Sequence, residues 1–148
     1  MMKIKHKFLV YLIRGDLVLV SYHIDHPAAG LQVPGGSVEP NESPIDAAVR
    51  ELEEESGHTY SLQDAFVHEY GYYPSWDDAV HYRTSFILNL GSPSPHSDPT
   101  LQNFSHIVDS GTLDKGIRLS YSWMPITTAL ELLNAGHDIS LKHFQDHL

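Results

Sequence analysis

Hydrophobic and polar positions divide the chain into stretches of two kinds. Residues 4–13, IKHKFLVYLI, read as a strand rich in β-forming residues, and residues 16–24 as a second, with a tight turn at Arg14-Gly15 between them. A polar, proline-containing loop over 23–30 leads to a short strand at 31–33 and then to Pro34-Gly35-Gly36. There the glycines are expected to make a turn, since they admit a backbone conformation that other residues resist. The period then changes. Ile45, Ala48, Val49 and Leu52 fall at i, i+3, i+4 and i+7, which predicts a helix with one stripe against a core. Its ends are signalled by Ser43 as N-cap, Pro44 at the first helical position, Asp46 in a capping-box-like S-x-x-D, and Gly57 as the left-handed stop.

Beyond the helix, residues 59–62 and 65–73 read as extended, with a turn at Pro74-Ser75 and a loop at Trp76-Asp77-Asp78. Residues 79–90, AVHYRTSFILNL, read as a long strand without clean alternation, as expected of a strand buried on both faces. The proline-rich 91–99 is a loop, and 101–116 fits a mobile insertion. A strand is expected at 117–124. A helix follows over 127–134, begun by Pro125 and ended by Gly136, and a short terminal helix over 140–148. Strands before and after one central helix, with a second helix late, predict an α/β domain whose mixed sheet is held between helices.

Composition narrows the chemistry. The chain has 148 residues and no cysteine, so it suits a single domain over 1–148 without disulfides or thiolate metal sites. Its only N-terminal apolar run, Phe8 to Ile13, is closed by Arg14 and is too short to span a membrane, so a cytoplasmic location is expected. The net charge of −10 is concentrated in residues 51–100, where nine acidic residues face the single cation Arg83. No basic stripe exists to hold nucleic acid or an anionic membrane through phosphates. The 11 histidines are scattered, without a helical H-x3-H pair, and are read as solvated or locally hydrogen-bonded.

The acidic excess begins on the central helix. Glu51, Glu54 and Glu55 stand at i, i+3 and i+4 and share a face beside the apolar stripe, while Glu53 points away. Each like-charge pair at that spacing costs about 0.2–0.5 kcal/mol of helix stability. A solvated acidic surface is the plain reading of such a face. Three hard oxygen donors also suit a divalent cation such as Mg2+ or Mn2+, which would turn the repulsion into attraction.

Gly36, Glu42, Arg50, Glu51, Leu52, Glu54, Glu55 and Gly57 together resemble the Nudix box, G-x5-E-x7-R-E-U-x-E-E-x-G-U, where U is bulky and aliphatic. His58 departs from the last position, which concerns packing at the helix exit. The resemblance implies a Nudix-type α/β/α sandwich. It also implies metal-dependent hydrolysis of a pyrophosphate bond in a nucleoside diphosphate linked to another moiety: a nucleoside triphosphate, ADP-ribose or a sugar nucleotide. On this basis Glu51, Glu54, Glu55 and the Gly35 carbonyl are the expected metal ligands. Glu51 is a ligand or a base that orients water. Arg50 is expected to hold a glutamate in place, and Gly36 and Glu42 to brace the loop. Asp109 is the preferred extra carboxylate from outside the box, with Asp98 and Asp114 as competitors, and their plain role is to cap turns.

Substrate choice lies outside the box. Tyr72, Tyr73, Trp76 and Tyr82 are candidates to stack on a base, against the ordinary reading of core or cross-strand packing. Pro74 follows the box at a spacing the family associates with ADP-ribose, and nucleoside triphosphates stay open equally. The second function class is a non-catalytic Nudix domain that binds a nucleotide and regulates a partner; such domains usually lose a box glutamate, and this chain keeps them all. The expected partner is a small nucleotide, and a homodimer is left open.

Overall fold

The odd and even residues of one long strand divide the core in two. The protein, described here by a computed structural model, has its structure defined for residues 3–57, 59–91, 104–107 and 118–146; for residues 55, 56 and 104–107 only the backbone is described. Strand β1 (Ile4–Arg14) sends Leu9, Tyr11 and Ile13 to one face of the sheet and Phe8, Val10 and Leu12 to the other, all buried. The first set packs with Ile126, Ala129, Leu133 and Leu141 from the C-terminal helices α2 (Ile126–Leu132) and α3 (Ile139–Asp146) and from the end of α2. The second packs with Ala47, Ala48 and Leu52 of the central helix α1 (Pro44–Ser56). The result is an α/β/α sandwich, and it explains the continuous apolar run at the start of the chain.

The sheet runs β5 (Phe66–Tyr72), β6 (Val80–Asn89), β1, β2 (Leu17–His23), β8 (Arg118–Pro125), β7 (Phe104–Ile107). Among the named strands β1 and β6 pair in parallel and the other pairings are antiparallel, so the sheet is mixed. Strands β1 and β2 pair only beside their turn, through Ile13↔Val18 and Arg14↔Leu17, and then part. Two short strands occupy the opening: β3 (Leu31–Gln32) joins β2, and β4 (Gly35–Ser37) joins β1 at Lys7, Phe8 and Leu9.

Local signals and structure agree best at α1. The Ser43 side chain accepts the Asp46 N–H at 3.2 Å, and Gly57 sits at φ 77° with its N–H donated to the Glu53 carbonyl. Elsewhere three expectations need correction. The first hairpin turns one residue later, with Gly15 at φ 58° and Asp16 outside both strands. Residues 59–62 form no strand; Leu62 plugs the core beside α1 instead. The stretch expected as an insertion contains an edge strand, β7, paired to β8, while the rest of 101–116, with Asp109 and Asp114, lies outside the described residues, as does Asp98 in the preceding loop. Among the described residues, no helix is long and apolar enough to cross a membrane.

Candidate active site

Glu51 is only 8% exposed although it is charged. It fits because β4, which passes over the helix, has no side chain at Gly36. A Cβ there would lie 2.9 Å from Glu51 Oε2 and 3.2 Å from the Phe8 ring. At Gly35 a Cβ would lie 2.7 Å from the Phe8 carbonyl oxygen. The Gly-Gly pair is therefore strand, not the expected turn, and neither residue has positive φ. The glycines are needed because backbone and carboxylate approach closely, rather than for a special conformation.

Arg50 organises the carboxylates around it. Its Nε donates to Glu42 Oε2 at 2.9 Å and its Nη2 to Glu42 Oε1 at 3.0 Å, a two-pronged pairing. The remaining limb, Nη1, reaches Glu51 Oε1 at 3.2 Å and Glu54 Oε2 at 3.5 Å. One fixed positive charge thus offsets part of the repulsion among three carboxylates. The hydrogen bond from Arg50 is the main reason the Glu42 carboxyl sits below its usual range, with partial burial opposing it. Arg50 in turn is held more firmly protonated, first by its hydrogen bond to Glu42 and also by the charges of Glu51, Glu42 and Glu54. Glu42 also accepts the Glu39 N–H at 3.2 Å, which ties the loop before α1 to the helix.

Glu54 is half-buried on the same side, and Glu53 is exposed. The Glu55 side chain lies outside the described residues. Among the described residues no three carboxylates or imidazoles already converge on one point. The available donors, two helix carboxylates and the nearby β4 backbone, are all hard oxygens, a set that fits a small divalent cation.

A cavity of about 270 Å3 lies against β4, lined by Lys7, Gly35, Gly36, Trp76, Arg83 and His137 among others. His137 is buried, and its Nδ1 accepts the Val33 N–H at 3.1 Å. Burial, and then the charge of Arg83, push its pKa down to about 3. A wider depression of about 580 Å3, lined by Lys5, Glu42, Glu69 and Tyr82, lies by the loop before α1.

Of the four aromatic candidates the structure brings together Tyr72 and Trp76, whose ring centroids lie 6.2 Å apart, and leaves Tyr73 and Tyr82 outside that pair. Trp76 stands at the smaller cavity, 61% exposed. Tyr72 lies beneath the Arg83 guanidinium, 4.0 Å from it, so its ring face is already covered. Tyr82 alternates to the other side of β6 and donates to Glu69 Oε2 at 2.8 Å. Tyr73 is largely exposed. Three cavity residues, Lys7, Arg83 and His137, were not singled out from sequence. Arg83 left a signal there, as the one cation of its third of the chain, set inside a strand that reads as buried on both faces.

A family model described as NUDIX domain matches residues 4–144. Similar solved structures include the MutT protein from Methanosarcina mazei Go1 (16% identity, covering 99% of this chain and 96% of that one, TM-score 0.69). They also include the E. coli ORF135 protein in solution (23% identity, 98% and 91%, TM-score 0.66) and a C. elegans Ap4A hydrolase binary complex (16% identity, 99% and 97%, TM-score 0.59). At these identities the likeness shows the fold. Comparison with curated proteins finds no match.

Proposed function

The chain belongs to the NUDIX domain family, and we propose that it is a pyrophosphohydrolase that uses Mg2+ or Mn2+ to cleave the pyrophosphate bond of a nucleoside diphosphate linked to another moiety, releasing a nucleoside monophosphate or a similar product. The observation that carries this reading is the reach of Arg50 to Glu42, Glu51 and Glu54 together. That contact sets two carboxylates side by side on α1, next to the paired glycines of β4.

Glu51, Glu54, Glu55 and the Gly35 carbonyl would hold the cation. When bound, it neutralises phosphate charge and generates a nucleophile from water. The protein's own residues supply position. Arg50 keeps its proton throughout, so it orients carboxylates and does not act as an acid. Glu42 anchors Arg50 and the loop. Glu51, enclosed below Gly36, has little freedom to swing. The retained glutamates favour catalysis over a binding-only role.

The test is a panel of nucleoside triphosphates, ADP-ribose, sugar nucleotides and dinucleoside polyphosphates with magnesium or manganese. Nucleoside monophosphate should appear from at least one, and chelation should stop it. No hydrolysis of any of them with either metal would refute the proposal. Magnesium should also raise Tm in the absence of substrate, by up to about 2.7 kcal/mol of stabilisation at 100 times its Kd. An unchanged Tm at millimolar magnesium would remove the cation from this site.

Gly36→Ala probes the enclosure of Glu51. The new methyl must displace the Glu51 carboxylate or the Phe8 ring. The expected result is a fall in kcat/KM of about 10- to 100-fold in a protein that still folds, by analogy with small misplacements of catalytic groups. Wild-type kinetics from this variant would show that the position of Glu51 is not critical.

A further inference from the structure

Arg83 is 4% exposed, and no carboxylate among the described residues pairs with it. Its Nη1 donates to the Ala135 carbonyl at 2.7 Å and to the Tyr70 hydroxyl at 3.4 Å, and one face of the guanidinium covers the Tyr72 ring. Those contacts fix one limb and one face. Nε and Nη2 make no hydrogen bond to a described residue, and the side chain lines the 270 Å3 cavity beside Gly35 and Gly36.

The residue directly opposite Arg83 in the β1–β6 register is Lys7. It lines the same cavity and donates to Ser37 Oγ at 2.7 Å, next to Gly36. Burial lowers the Lys7 pKa most, followed by the positive charges of Lys5 and, more weakly, Arg83, with Asp77 and Glu51 opposing. Like charges opposed across two strands destabilise the pairing, and a buried cation without an anion is costly. A purely structural Arg83, satisfied by the Tyr72 ring, the Tyr70 hydroxyl and one carbonyl, gives no reason to set a second cation against it. A neutral base in the cavity would leave Arg83 without an anion and Lys7 with only the more distant charges of Asp77 and Glu51. A phosphoryl group would compensate both, and its oxygens suit the open edge of a guanidinium. The cavity is smaller than the roughly 300–1,000 Å3 of pockets that enclose a whole small ligand, so it suits one group of a larger molecule.

We infer that Lys7 and Arg83 form an anion subsite for a phosphoryl group of the substrate that lies outside the cleaved, metal-held pyrophosphate, so that the preferred substrate is a nucleotide with a longer phosphate chain. The word substrate rests on the hydrolase reading above; the subsite itself needs no metal. This separates the two in experiment. Inorganic tripolyphosphate is titrated into the protein in EDTA and followed by calorimetry. Wild type should bind it, Glu54→Gln should bind it equally, and Arg83→Gln and Lys7→Gln should each weaken it by about tenfold or more. Lys7 is only half-buried, so its variant carries the test if Arg83→Gln does not fold. With magnesium, Arg83→Gln should raise KM for a nucleoside triphosphate more than it lowers kcat, and should erase preference for it over ADP-ribose. Absence of tripolyphosphate binding, or unchanged affinity in both charge variants, overturns the subsite even if hydrolysis is intact. Orthophosphate binding as tightly as tripolyphosphate also overturns it, because the cavity would then be a site for a free anion. Tripolyphosphate binding without hydrolysis of any panel member supports the subsite and refutes the hydrolase reading instead.

Discussion

Glu54→Gln is expected to lower kcat/KM by about three orders of magnitude, or roughly 4 kcal/mol of transition-state stabilisation, while the fold persists. The substitution keeps volume and shape but removes the negative charge that a divalent cation needs. Its cost to stability should be small. The contact to Arg50 Nη1 is long at 3.5 Å, and Arg50 keeps its two-pronged hold on Glu42. Removing one of several crowded negative charges also relieves repulsion along α1. Glu53→Gln is the matched control: the same change, one position away, on an exposed side chain, should leave kinetics untouched. Steady-state kinetics with magnesium on both variants decides the matter. If Glu54→Gln turned over like wild type, or Glu53→Gln lost as much, the carboxylate face of α1 would not be where the chemistry occurs.

Mild acid should weaken the fold through His137. Its pKa is about 3 in the folded protein against 6.5 for the free side chain, because burial and the Arg83 charge oppose protonation. A folded-state pKa below the unfolded one means that the neutral ring stabilises the fold at neutral pH. Below about pH 6.5 the unfolded chain takes up a proton that the folded chain refuses, and stability falls with pH down to about 3. The slope approaches 1.4 kcal/mol per pH unit, so about 2 kcal/mol should disappear between pH 7 and pH 5. Protonation would also end the role of Nδ1 as acceptor for the Val33 N–H, next to the strand that meets Glu51. His137→Gln keeps an acceptor but cannot titrate. Urea unfolding at the two pH values should show that this variant loses about 2 kcal/mol less than wild type on acidification. Equal losses would mean that the histidine titrates freely in the folded protein.

The sequence by itself determined what depends on neighbours along the chain. The cap at Ser43, the stop at Gly57, the apolar stripe between them and the shared face of Glu51 and Glu54 all follow from helical spacing, and the structure reproduces each. The long strands were legible for a similar reason, since a run of β-forming residues buried on both faces leaves its mark locally. What only the tertiary structure decided is which distant residues meet. The parallel register of β1 and β6 sets Lys7 opposite Arg83, the parting of β1 from β2 admits β4 over α1, and the fold then encloses Glu51 and His137. Pro34-Gly35-Gly36 looks like a turn because glycine is read first as freedom of the backbone. Its actual reason, a carboxylate and a carbonyl where side chains would be, exists only once β4 has been laid against β1 and α1. Propensity and period report on a few successive residues, whereas the charge, burial and spacing of a site arise from contacts between residues far apart in the chain.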